Sequence, residues 1–378
     1  MNSRLSCTID AEDSWSKARA LTLTTLHGVV QTPIFMPVAT QAALRHVDLT
    51  VASDLGYKVL LANTYHLMIR PGLEHFRDVG GIHPFMRWSA SVLTDSGGYQ
   101  VFSLSKQTRI SEDGALFRSY TDGQKIMLTP ERSIEMQRAI GSDIMMVLDH
   151  CISSTADISA LREALARTTR WAQRSFDARG ESPQALFGIV QGGCSQQLRR
   201  ESAQQITDIP FDGFALGGLA VGETKAVRDD TIEFAAPLLP REKPRYVMGI
   251  GTPIDLLEAV RRGTDMFDCI LPTALATQGV AFTSLGKVDL RRGVYRAVSG
   301  PLDAQCGCST CQRFSRSYLH HLVKSRESIA PHYLSVHNLT FYRALIHRMR
   351  TAIIQGAFQE LYASEAQMLA ATDVEFPT

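Results

Sequence analysis

The chain has 378 residues, with 39 basic side chains against 38 acidic ones and a 44% hydrophobic fraction. That length suits one large α/β domain with insertions, or two ordinary domains, and it supplies ample core. Plentiful apolar residues at near-zero net charge exclude general disorder, and no run approaches the roughly 20 apolar residues of a transmembrane helix.

The first residues, MNSRLSCTIDAEDSWSK, carry acids and no apolar stretch, so no secretory signal is expected. Eight short apolar runs follow, each ending in a polar or glycine-rich turn. They are IFMPVAT (34–40), VLLANTYHL (59–67), SVLTDSGG (91–98), SDIMMVLDHC (142–151), ALFGIVQGG (185–193), GFALGGLAVGE (213–223), RYVMGIGTP (245–253) and MFDCILPT (266–273). Unbroken apolar strands of this kind are buried on both faces of a parallel sheet. Helical stretches alternate with them. Thr129 and Pro130 open one that Gly141 closes, and further helices are expected over 155–179, 224–239 and 253–262.

The expected fold class is therefore α/β, a (β/α)8 TIM barrel, with a doubly wound open sheet as the alternative. One domain spans 1–378. Two Asp-Gly pairs between β-prone runs make 99–128 an inserted hairpin over the barrel mouth. Residues 274–338 form an insertion after the eighth strand, and a helix over 339–363 completes the barrel. From Gly286 to Arg350 eleven Lys or Arg face three acids, a local footprint for nucleic acid, although a solvated helix face explains such an excess equally well.

Cys306, Cys308 and Cys311 crowd into six residues, and His337 follows. Three thiolates and an imidazole complete a tetrahedral zinc site with no open position, so one structural zinc per chain is expected, in a reducing and hence cytoplasmic compartment. His320, His321, His332 and His347 are nearby alternatives to His337. In a barrel, functional groups gather at the C-terminal strand ends, here Asn63, Asp95, Asp149, Gln191, Gly217–Gly218, Gly251 and Asp268. Asp95 and Asp268 form a carboxylate pair able to act as acid/base and nucleophile at an anomeric carbon. Asp265, three residues before Asp268, is the other candidate nucleophile. Asp149, Gln191 and a bare N–H at Gly218 match the edge of guanine, and Tyr99 and Met248 can sandwich a flat ring.

Together TDSGGYQVFSL (94–104), GIVQGG (188–193), GGLAVGE (217–223), VMGIGTP (247–253), MFDCILPT (266–273) and CGCSTC…HNL (306–339) resemble the tRNA-guanine transglycosylases of the bacterial type, in the family's order. The resemblance implies a pentosyltransferase of the queuosine pathway. It replaces the wobble guanine of U-G-U anticodon tRNAs by a 7-deazaguanine through a covalent Asp–ribose intermediate. It makes Asp268 the nucleophile, Asp95 the acid/base and Asn63 the residue that orients Asp95. Asp149, Gln191 and Gly218 would hold the base edge, with Tyr99 and Met248 above and below. The Leu219 carbonyl, positioned by Glu223, would accept from an aminomethyl group. Cys306, Cys308, Cys311 and His337 would hold zinc. A homodimer is implied, with Phe314 to His321 as its interface helix, and the tRNA anticodon loop as partner.

Three departures stand out. Ala274 and Thr277 occupy positions where the family has arginines that hold RNA, His150 stands where an acid is usual, and Phe314 replaces a common tryptophan. Strand alternation turns His150 away from Asp149, so it is not expected to touch the base. The favoured incoming base is 7-aminomethyl-7-deazaguanine, with queuine as the alternative. A barrel glycoside hydrolase and a non-catalytic RNA-binding subunit are the rival functions.

Overall fold

The computed structural model describes residues 4–104 and 108–372. All eight apolar runs form strands in the expected order: β1 (Ile34–Pro37), β2 (Val59–Ala62), β3 (Ser91–Thr94), β4 (Ile144–Met146), β5 (Ala185–Val190), β6 (Gly213–Leu216), β7 (Arg245–Val247) and β8 (Met266–Cys269). They are parallel, in the order β1-β8-β7-β6-β5-β4-β3-β2. Val38 bridges Leu61, and the Ala39 N–H donates to the Leu61 carbonyl at 2.6 Å. That contact joins β1 to β2 and closes a (β/α)8 barrel, which excludes the open sheet. Every residue of β1 to β7 is buried, as strands covered on both faces require. Only β8 emerges, at Asp268 and Cys269.

The outer helices follow their caps. In α1 (Pro130–Ile140) the Thr129 side chain accepts from the Arg132 N–H at 3.2 Å, and Gly141 closes it at φ 73°. In α2 (Ile158–Arg179) Asp157 accepts from the Ala160 N–H at 2.8 Å, so the helix starts three residues later than its apolar spacing implied. Then come α3 (Gln196–Thr207), α4 (Lys225–Ala235), α5 (Pro253–Arg261) and α6 (Leu271–Thr277). The last barrel helix differs from expectation: α7 spans Ala330–Gln355, Gly356 breaks it at φ 68°, and a separate helix covers Phe358–Ala370. No described helix is long and apolar enough to cross a membrane.

Two segments interrupt the barrel rhythm. A short helix, Gly98–Leu104, precedes a three-stranded antiparallel sheet of Arg109–Ile110, Ala115–Arg118 and Lys125–Leu128, where Phe117 and Leu128 pack with Tyr65, Leu148 and Trp171. After α6, the hairpin Val280–Thr283 and Gly286–Asp289 and two short helices, Ser309–Arg313 and Arg316–Lys324, gather a second small core around Leu290, Tyr295, Leu302 and Leu334.

The sequence reading assigned no element to the N-terminus. There Ser6–Glu12, Arg19–Thr25 and Gly28–Gln31 form an antiparallel sheet at the base of the barrel. Arg19 anchors it. Its Nε and Nη2 donate to Oδ1 and Oδ2 of Asp265 at 2.9 and 2.7 Å, with both side chains buried. Removing one partner of a buried pair leaves an uncompensated charge. Arg19→Ala is therefore expected to destabilise the protein by about 3–5 kcal/mol in urea unfolding. The double variant Arg19→Met, Asp265→Leu should recover much of that loss; equal instability of the two would remove the charge explanation.

Candidate active site

Asp95 lies just past β3, buried. Its Oδ1 accepts from the Thr64 N–H at 2.8 Å, and its Oδ2 accepts from Gln100 Nε2 at 2.9 Å and from Asn63 Nδ2. Burial pushes its pKa up to about 6 against these donors, and the charge of Asp268 adds to the rise. The carboxylates on β3 and β8 are thus close enough to feel each other across the mouth. Asp268 Oδ1 accepts from the Tyr246 hydroxyl and, at 2.8 Å, from the Gly249 N–H. No other described residue donates to its Oδ2. Burial raises its pKa while those two donors resist.

Asp265 is at the other end of β8. Both its oxygens are held by Arg19, and Oδ2 also accepts from the Arg245 N–H at 2.6 Å. It has no access to the mouth, so it is removed as a candidate nucleophile.

Past β4, Asp149 accepts from Gln191 Nε2 at 2.6 Å and from Ser96 Oγ at 3.2 Å, and burial pushes its pKa up to about 6. Gly218 has φ +63°, and a Cβ there would lie 2.3 Å from Gln191 Oε1. Glycine is required both by conformation and by the close approach of the amide. Glu223 accepts from Ser154 Oγ at 2.7 Å, from the Val221 N–H at 3.2 Å and from the Ala220 N–H. Burial works against its charge, but the Ser154 hydroxyl and the backbone N–H groups hold its pKa below the usual carboxylate value. Since a trans peptide sets N–H and C=O in opposite directions, the Leu219 carbonyl points away from Glu223. Tyr99 is 49% exposed on the helix after Asp95. Met248 is half-buried beside Gly249.

Tyr246, Gly249, Gln100, Thr64 and Ser96 were missed by the sequence reading. Ser96, Gln100 and Gly249 stand within the motifs TDSGGYQVFSL and VMGIGTP, and Thr64 within the run VLLANTYHL. Tyr246 was hidden in an apolar run, and its inward side chain is revealed only by the register of β7.

His150 points its ring toward α2. Its Nδ1 accepts from Arg167 Nη1 at 3.1 Å, its ring lies 6.2 Å from Trp171, and burial and the Arg167 charge push its pKa down to about 4. It nevertheless lines a cavity of about 210 Å³ that Asp149 and Gly98 also line. Ala274 and Thr277 lie on α6, where the Thr277 hydroxyl donates to the Thr273 carbonyl at 3.0 Å. Phe314 packs on Tyr333 and Tyr318 at centroid distances of 4.6 and 5.2 Å.

The donor atoms of Cys306, Cys308, Cys311 and His337 all lie within 4.8 Å of one another. His337 Nδ1 is 3.3 Å from Cys311 Sγ and 3.7 Å from Cys308 Sγ, while its Nε2 is 2.7 Å from the Phe282 carbonyl. A proton on Nε2 satisfies that carbonyl and leaves a lone pair on Nδ1 facing the sulfurs. Four convergent lone pairs fit a cation, so the cluster can hold a metal ion.

Fold and site define a class of protein: a (β/α)8 barrel with coupled carboxylates at its mouth, a polar slot beside them and a metal-type cluster in an added segment. Comparison with known proteins narrows it. Residues 13–370 match the family model described as "Queuine tRNA-ribosyltransferase". The chain is 48% identical over 354 residues to the queuine tRNA-ribosyltransferase of Solidesulfovibrio magneticus, covering 93% of this chain and 95% of that protein. For those of Caldanaerobacter subterraneus and Desulforudis audaxviator the identities are 47% and 45%, covering 92% and 95% of this chain and 93% and 96% of theirs. The chain belongs to the queuine tRNA-ribosyltransferase family, the tRNA-guanine transglycosylases, and is of the bacterial type.

Asp95 and Asp149, with pKa values raised from 3.8 to about 6, bind protons more tightly folded than unfolded. Their contribution to stability is therefore fully present below pH 4 and is lost as pH rises through 6. Carboxyl-carbon NMR titration should show two midpoints near 6, one disappearing in Asp95→Asn and the other in Asp149→Asn. Midpoints near 4 would mean that the donors outweigh burial.

Proposed function

We propose that this chain exchanges the wobble guanine of U-G-U anticodon tRNAs for a 7-deazaguanine. The observation that carries the reading is the Asp95–Asp268 pair, with Asp268 held by one oxygen and no other described residue donating to its second oxygen. Asp268 Oδ2 attacks ribose C1′ and guanine leaves with the bonding pair, taking a proton from Asp95. The incoming base then gives a proton to Asp95 and displaces Asp268. Two inversions retain configuration. A pKa near 6 leaves Asp95 able to donate and to accept near neutral pH. Asn63 orients Asp95. Asp149, Gln191 and Gly218 hold the base edge, between Tyr99 and Met248. Flipping a guanine from the single-stranded anticodon loop costs less than flipping one from a duplex.

The favoured incoming base is 7-aminomethyl-7-deazaguanine, because the Leu219 carbonyl is turned outward by Glu223 as an acceptor. Queuine is the second reading, favoured by the names its relatives carry. The tRNA would be handled by a cytoplasmic homodimer, with Phe314 to His321 at the interface. Zinc suits a set of three thiolates and one imidazole, and four protein ligands leave no position for substrate, so its role is structural.

Labelled guanine is expected to enter tRNA on incubation with the protein, with 7-aminomethyl-7-deazaguanine competing better than queuine. Denaturing gels should show a covalent protein–RNA adduct that Asp268→Asn abolishes, since the amide is a poor nucleophile. Asp95→Asn should impair exchange severely at unchanged metal content. An undiminished adduct in Asp268→Asn would refute the nucleophile assignment, and faster use of queuine would reverse the base preference.

Metal analysis should find one zinc per chain. Cys308→Ala is expected to lower metal content and solubility together, because metal-binding free energy is also folding free energy. Well-folded protein free of zinc would end the structural-metal reading.

A further inference from the structure

A second polar site lies at the opposite end of the barrel. A cavity of about 270 Å³ opens between the N-terminal sheet, the starts of β1 and β2, and α7. Ile34, Phe35 and Ile346 give it apolar walls, and Lys58, Arg343, His347 and Arg350 also line it. No acidic side chain is among the described residues that line it. The three α7 residues are spaced at i, i+4 and i+7, which sets them on one face.

Arg350 is fully engaged: Nη1 donates to the Leu21 carbonyl at 3.0 Å and to the Thr32 carbonyl, and Nη2 pairs with Asp10 at 2.6 Å. Arg343, Lys58 and His347 are different. None of their side chains has a hydrogen-bond or ion-pair partner among the described residues. Arg343 is half-buried, its Nε and Nη2 only 3.7 Å from where a Cβ on Gly56 would stand. Lys58 and His347 are exposed and Arg343 is half-buried, so three basic side chains converge on one cavity from its rim and its wall. An anion in the cavity would meet a positive potential focused by the concave surface.

We propose that this cavity binds a small phosphate monoester. A guanidinium fork, an ammonium and an imidazole together offer more donors than one carboxylate can accept, and they suit a dianion with three terminal oxygens. The apolar walls take the ester's organic part. The volume falls just below the roughly 300–1,000 Å³ typical of drug-sized pockets, which limits the ligand to a small molecule. A nucleic-acid backbone is a poorer match, because each phosphodiester carries a single charge and needs an open groove. The proposal is independent of the base-exchange reading, since the site lies at the base of the barrel and away from Asp95 and Asp268.

The test is calorimetric titration of the full chain, free of tRNA, with inorganic phosphate, phenyl phosphate and a dinucleotide phosphodiester. Phenyl phosphate should bind saturably and more tightly than inorganic phosphate, and raise the melting temperature. Arg343→Ala and Lys58→Ala should each weaken it at least tenfold. Arg343→Lys, which keeps the charge and loses the fork, should fall between. Asp268→Asn should bind it as the unaltered chain does. Absence of saturable binding, or binding that survives the Arg343→Ala, Lys58→Ala double variant with an unchanged circular dichroism spectrum, would overturn the proposal. Equal affinity for the dinucleotide would overturn the monoester assignment in favour of an RNA contact.

Discussion

The site depends on keeping carboxylates ionisable where burial opposes their charge. Asp95, Asp149 and Asp268 lie at or just past the ends of buried strands, and each has its proton affinity raised by burial. An isolated carboxylate in such surroundings would take up a proton. The offset comes from donors on neighbouring strands. Asn63 follows β2, Gln191 follows β5 and Tyr246 belongs to β7, each strand adjacent to the one whose carboxylate it serves. Those pairs sit on strands adjacent in the sheet order; what closure at the β1–β2 seam adds is to bring β3 and β8, near opposite ends of that order, together, so that the Asp268 charge reaches Asp95 across the mouth.

The same strand shows the opposite solution at its other end. Asp265 precedes β8 and has a full guanidinium on both oxygens, so its charge is compensated and inert. Asp268, three residues on, receives one hydroxyl and one N–H on a single oxygen. Neutral donors stabilise a carboxylate less than an ion pair does, and they leave it a lone pair to give. Arg19 therefore serves the chemistry indirectly: it settles which of two aspartates in one short segment is structural.

That distinction marks the limit of what the residues alone disclose. The eight strands were legible because parallel strands buried on both faces need unbroken apolar runs, and helices with Thr129–Pro130 or Gly141 at their ends announce themselves. Asp95, Asp149 and Asp268 were legible because a charged residue ending such a run is conspicuous. The N-terminal sheet was less so. Arg19–Thr25 alternates correctly, and His27–Gly28 supplies a turn, but Ser6–Glu12 is at least partly exposed throughout, and its apolar face is only Cys7, Ile9 and Ala11, too small and too shallowly buried to stand out. The start of α7 was missed because its burial extends around most of the helix, which erases amphipathic spacing. The donors at Gly249, Ala220 and Thr64 are backbone N–H groups, which residue type cannot reveal.

The long helix ties these parts together. At 26 residues α7 spans about 39 Å. His337 and Asn338, consecutive on it, hold both sides of the Phe282 peptide: His337 Nε2 donates to the Phe282 carbonyl at 2.7 Å, and Asn338 Oδ1 accepts from its N–H at 3.0 Å. Asn338 Nδ2 also donates to the Pro272 carbonyl at 2.8 Å, at the start of α6 and four residues from Asp268. A metal ion on Nδ1 of His337 would fix that ring, and through it the hairpin and the segment leading away from Asp268. All four protein donors converge on one point, so on the proposed structural reading such an ion would act through position, setting the added segment relative to the barrel mouth.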